Sequence, residues 1–138
     1  MPAKDRLHDT VVRALVKDGW TIVQEQYGLR LSPTRRLWVD IYAAKASERL
    51  AILIEVKGFE DMASPIDYLA DAAGKYVLYQ AALEYLNRNI PLYLAVSEKG
   101  YNGILSEEIG QKIIQKLAMH LLVFDPQREE ITRWIPKP

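Results

Sequence analysis

The sequence predicts an α/β fold built on a mixed central sheet. Two strand-like runs, residues 37–43 and 50–57, are joined by a short turn from Lys45 to Arg49. Neighbours linked so tightly pair antiparallel. A long helical pattern then leads to a third apolar strand, Pro91-Leu92-Tyr93-Leu94-Ala95-Val96. Strand, helix, strand is a crossover unit, which makes that third strand parallel to the one ending at Lys57. The full order reads α-β-β-β-α-β-α-β-β over one domain, residues 1–138.

Each element has its own signal. Residues 4–18 place Leu7, Val11, Val12, Ala14 and Leu15 at helical spacing, and Gly19 supplies a stop. Trp20 to Gln24 reads as a strand, and residues 25–36, with Gly28 and Pro33, read as a polar connector. Ser64-Pro65 is a helix start, with Ser as N-cap, Pro at the first helical position and Asp67 in the first turn. Ile66, Leu69, Ala70, Ala73, Tyr76, Val77, Gln80 and Leu83 are the expected buried stripe of that helix, which runs to about Asn87. Gly74 inside it suggests close packing against the sheet, since Gly costs about 1 kcal/mol against Ala in a helix. Residues 97–104 read as a loop, Leu105 to Met119 as another helix, and His120 to Phe124 as a strand. Asp125-Pro126 turns the chain, and Glu130 to Ile135 closes a terminal hairpin.

Composition narrows the function. The chain is 49% hydrophobic and 26% charged, which fits a folded domain with a real core. Lys+Arg and Asp+Glu balance at 18 each, so any basic surface for nucleic acid must be local. Cysteine is absent, which excludes disulfides and thiolate zinc sites. No apolar run suits a membrane span or a signal core, so the expected location is cytoplasmic.

One charged constellation stands out. In Ile52-Leu53-Ile54-Glu55-Val56-Lys57, apolar residues occupy both faces, so the strand is central. It ends with Glu55 and Lys57 on one face. Asp40, between Val39 and Ile41, is a carboxylate in the middle of the expected neighbouring strand. Two carboxylates and an ammonium at one spot suit a divalent-metal phosphodiesterase. Mg²⁺ or Mn²⁺ would take Asp40 and Glu55, with the Val56 carbonyl as a third ligand. Lys57 would orient water or offset transition-state charge. The alternative is a structural ion network, since Glu-x-Lys is common on strands.

Asp40 followed by Glu55-Val56-Lys57 resembles the PD-(D/E)xK nuclease superfamily, and α-β-β-β-α-β matches its restriction-endonuclease-like core. The likeness sharpens into the XisH family. It is carried by Met1 to Asp5 with His8, by Ala14-Leu15-Val16-Lys17-Asp18-Gly19-Trp20, and by Ile54-Glu55-Val56-Lys57-Gly58-Phe59. Tyr76-Val77-Leu78-Tyr79, Leu92 to Val96 and Val123-Phe124-Asp125-Pro126 with Trp134-Ile135 add to it. The resemblance implies an fdxN-element excision controlling factor, mainly cyanobacterial. Such a factor would assist a site-specific recombinase on DNA together with an XisI-type partner. Two positions depart from the superfamily pattern. Val39 stands where the motif has Pro. His8 stands where resolvase-like members carry a first-helix Glu, and a metal-ligand role is one reading of it.

Further candidates surround this set. Lys75, Tyr76, Tyr79 and Gln80 lie on the helix after the Glu55 strand, where the superfamily often places a phosphate-contacting Gln or Lys. Lys75 and Gln80 are the DNA-contact candidates there, against a reading with Tyr76 in the core and Lys75 solvated. Arg30, Arg35 and Arg36 form the best local basic cluster for DNA phosphates, against an ordinary solvated loop. Asp61 and Asp67 read as capping residues and His120 as structural. Three roles follow: a metal-dependent DNA-cleaving enzyme, a non-catalytic accessory protein that binds its XisI-type partner, another copy of itself or DNA, and a domain with a structural ion network.

Overall fold

The computed structural model describes residues 7–58 and 64–138. Its first helix, α1 (His8–Lys17), turns Val11, Ala14 and Leu15 inward and ends at Gly19, whose φ of 92° suits glycine. Residues 4–6 of the predicted helix and the capping candidate Asp61 lie outside the described residues.

β1 (Thr21–Ser32) and β2 (Arg35–Lys45) then form a long antiparallel hairpin. This corrects the expected connector at 25–36. Tyr27, Leu29 and Leu31 alternate along β1, with Tyr27 opposite Val39 and Leu29 opposite Leu37, so the segment has an apolar face to bury. Gly28 fits because the Trp38 ring crosses it: a Cβ there would lie 3.2 Å from the ring.

β3 (Leu50–Val56) pairs antiparallel with β2 and parallel with β4 (Leu92–Ser97). β5 (Leu121–Asp125) continues parallel, and β6 (Glu130–Ile135) pairs antiparallel with it. The six strands lie in sequence order, β1 to β6, in a mixed sheet. α2 (Pro65–Tyr85) is the expected crossover, and Ser64 Oγ accepts the Asp67 N–H at 3.2 Å as its N-cap.

The sheet separates two cores. On one face Leu53, Leu94, Val96 and Val123 meet Tyr68, Leu69, Ala72 and Leu83 of α2. On the other, Ile52, Ile54, Tyr93 and Phe124 meet Val11 and Leu15 of α1. Apolar side chains on both faces of β3 and β4 are what a helix-covered central strand requires.

Two local expectations change. The 97–104 loop contains a short helix, α3 (Glu98–Asn102), capped by Ser97 Oγ accepting the Gly100 N–H at 3.1 Å. The following helix, α4 (Glu108–Leu117), begins after a 3-10 turn at Ile104–Ser106. The stripe on α2 is also different. Leu69, Tyr76 and Leu83 are buried as expected, but Ile66, Ala70 and Val77 face water, and Gly74 has nothing within 4 Å of a Cβ position. The helix is apolar nearly all round, so periodicity alone did not select its inner face. Among the described residues, no helix is long and apolar enough to cross a membrane.

Candidate metal and phosphodiester site

The site begins with a break in strand alternation. Val39 packs in the α2-side core, whereas Ile41 packs in the α1-side core. In a regular strand these two would share a face. Between them lies Asp40, and across the hairpin lies Gln26, whose φ is 55°. The Gln26 amide nitrogen donates to Asp40 Oδ1 at 3.5 Å.

This kink aims the Asp40 carboxyl at β3. Its Oδ2 accepts the Val56 N–H at 2.8 Å, while Glu55 Oε1 accepts the Asp40 N–H at 3.2 Å. The two carboxyls are also within hydrogen-bonding reach of each other. Asp40 is 8% exposed and Glu55 6%. Burial, followed by the charge of Asp40, pushes the Glu55 carboxyl up to about 8, and Lys75 opposes the shift. The carboxyl pair therefore holds a proton at neutral pH.

Glu55 and Lys57 share the face toward α2, as strand alternation predicts. Lys57 is 5% exposed, with Nζ 2.7 Å from Asp71 Oδ2 and 5.0 Å from the centre of the Tyr68 ring. Lys75 Nζ stands 3.9 Å from the same Asp71 oxygen. Tyr79 hydrogen-bonds Glu55, and its hydroxyl pKa is raised by burial and then by the Glu55 and Asp40 charges. Asp71, Lys75 and Tyr79 repeat every four residues, which places them along one line of α2.

The structure thus brings Asp40 and Glu55 together, with the Lys75 charge acting on Glu55, while Lys57 on the same face turns its ammonium to Asp71. It adds Asp71, a residue that no motif in the sequence singles out. Its signal was its position four residues before Lys75, on the line that also carries Tyr79. The Val56 group engaged here is its N–H. His8 is fully buried, and its Nε2 lies 2.6 Å from Glu25 Oε1. Ligand atoms of His8, Asp9 and Glu25 all lie within 4.8 Å of one another. Gln80 lines a groove of about 600 Å³ with Glu84, Arg88 and His120, whose lining does not include Asp40 or Glu55. Arg30 and Arg36 are cross-strand partners near the hairpin tip, beside Arg35, and all three are exposed. The Arg36 guanidinium lies 5.1 Å over the Trp38 ring.

Residues 1–132 match the family model described as XisH protein. The chain belongs to the XisH family. Two solved structures are similar over nearly its whole length. An XisH family protein from Nostoc punctiforme is 30% identical, with a TM-score of 0.85, covering 95% of this chain and 99% of that one. A fdxN element excision controlling factor protein from Anabaena variabilis is also 30% identical, with a TM-score of 0.85, covering 96% and 99%. No curated protein matches the chain. The family match runs from α1 through the long hairpin and β5 to the start of β6.

Proposed function

We propose that this XisH-family chain is an excision controlling factor that assists site-specific excision of a DNA element, and that Asp40, Glu55 and Lys57 form a divalent-cation site of the PD-(D/E)xK type. Family membership and the excision-factor description of the Anabaena variabilis relative support the role. The order α-β-β-β-α-β supports a restriction-endonuclease-like core.

One observation carries the site: two carboxyls buried side by side, with an ammonium on the same strand face. Like charges so close cannot both ionise without a compensating cation. The oxygen donors fit Mg²⁺ or Mn²⁺, with Asp40 and Glu55 as ligands and the Val56 carbonyl as a third. A bound ion would acidify a coordinated water and offset charge on a phosphodiester. Asp71 orients Lys57, and Tyr79 orients Glu55. Lys75 and the Arg30, Arg35 and Arg36 cluster would take flanking phosphates, and Gln80 would reach the DNA from α2. His8, bonded to Glu25, stands outside this ligand set. A recombinase and an XisI-type protein are the proposed partners.

A second reading is favoured by the depth of the site. With Asp40, Glu55 and Lys57 nearly closed to solvent, the chain would act as a non-catalytic accessory protein on a nuclease-like fold. Calorimetric titration with Mn²⁺ and nicking of supercoiled plasmid separate the two. The catalytic reading expects metal binding that Asp40→Ala abolishes, together with Mn²⁺-dependent nicking. Binding without nicking leaves the accessory role. No binding at about millimolar metal ends the cation-site proposal.

A further inference from the structure

Among the described residues, nothing covers the apolar outer face of α2. Ile66 is 57% exposed, Val77 48%, Leu78 50% and Tyr85 70%, with exposed Ala70, Gly74 and Ala81 between them. A helix apolar on both sides is normally covered on both sides. We propose that this face joins two copies of the chain through an antiparallel α2–α2 contact about a two-fold axis.

The sequence of the face is self-complementary, as a two-fold interface demands. With the axis between Val77 and Leu78, those two residues meet their counterparts at the centre. Gly74 then lies opposite Ala81 of the second copy, leaving a notch beside the central knobs. Among the described residues, nothing comes within 4 Å of a Cβ at Gly74, so the notch is open to a partner. Tyr85, the most exposed of the large residues, falls opposite the small Ala70. At each end Asp67, in the first turn, falls opposite Arg88, just beyond the last turn. The Arg88 guanidinium donates to the Tyr27 hydroxyl at 2.7 Å, which fixes the positive charge at that end of the face. The pairing then brings opposite charges near each other twice, with the antiparallel helix dipoles also opposed.

The area favours a second copy over a small ligand. The 21 residues of α2 make a face about 31 Å long. A stable dimer buries about 800 Å² per partner, more than one helix provides. Neighbouring α4 extends the patch: its Leu117 lines a groove of about 310 Å³ with Val77 and Ala81. Asp40 and Glu55 face the opposite side of α2, so the contact is independent of the cation-site reading.

Size-exclusion chromatography with light scattering tests it on the full chain. At about 100 µM the native protein should run at about 32 kDa, twice the 15.8 kDa chain. Leu78→Glu should run as a monomer with an unchanged circular dichroism spectrum. The chain has no cysteine. Val77→Cys should therefore cross-link to itself under oxidation, while Val16→Cys on α1, equally exposed, should not. A monomeric native protein, a dimer that survives Leu78→Glu, or a Val77→Cys chain that fails to cross-link would each overturn the proposal and leave this face to a different partner.

Discussion

Lys57 and Asp71 meet at 2.7 Å, and neither lies on the same element as the other. The ammonium is almost wholly buried at the end of β3, and the carboxylate on α2 is about a third exposed. The burden of the pair is therefore uneven.

That asymmetry gives a stability prediction. Asp71→Ala strands a buried ammonium, while Lys57→Met leaves a carboxylate with Lys75 and water. Breaking a buried pair costs about 3–5 kcal/mol, and the exposure of Asp71 reduces this to about 1–2. Urea unfolding should show Asp71→Ala losing that amount and Lys57→Met losing less. Equal losses would mean that Tyr68 and solvent compensate the lysine fully.

Glu55 sets a pH dependence. Its folded carboxyl titrates near 8, against 4.5 for the ordinary group. The native state therefore keeps a proton that the unfolded chain has already released. Stability falls as pH rises from about 4.5 to about 8 and levels off above, with an upper bound of about 5 kcal/mol. Glu55→Gln should flatten this window and be the more stable protein at pH 8.5. Thermal melts of both proteins across that range, without divalent metal, decide it. A native protein whose stability rises through the window would sink the assignment.

Gly74 in α2 and Gly110 in α4 should respond in opposite directions. Gly74→Ala in the monomer adds a methyl to open solvent and should stabilise by about 1 kcal/mol. At Gly110 a Cβ would meet the Ile104 carbonyl oxygen and stand 2.7 Å from Leu105 Cα, both main chain. Gly110→Ala should cost at least about 2 kcal/mol, because the turn before α4 must move. Chemical denaturation at low protein concentration measures both.

Tyr79→Phe removes the hydroxyl that Glu55 bonds and leaves the ring in place. The loss should be about 1–2 kcal/mol, because the partner carboxyl is buried. If Tyr79 orients a ligand, Mn²⁺ affinity should weaken as well. Unchanged affinity would limit Tyr79 to a structural role.

Much of the site was legible because strand alternation is a strict rule. Glu55 and Lys57 had to share a face, and the apolar run before them had to be central. Asp40 was legible as a carboxylate in an apolar setting. Asp71 was not, because an acid on a helix looks the same whether it meets water or a buried lysine. The tip of the hairpin was lost to its composition: three arginines, Gly28 and Pro33 read as a loop, although Tyr27, Leu29 and Leu31 kept a period of two. The inner face of α2 was half found, since Ile66 and Val77 are as apolar as Leu69 and Leu83. Only the position of the sheet distinguishes them.

The kink at Gln26 and Asp40 carries one last consequence. Because the hairpin changes cores there, its two halves are anchored to different sides of the sheet, like a plank nailed above and below. Adding or removing a single residue at Gln26 would leave the tip and base recognisable yet turn Asp40 away from Glu55. The meeting of the two acids thus depends on a length count in β1, a strand that contributes no acid to it.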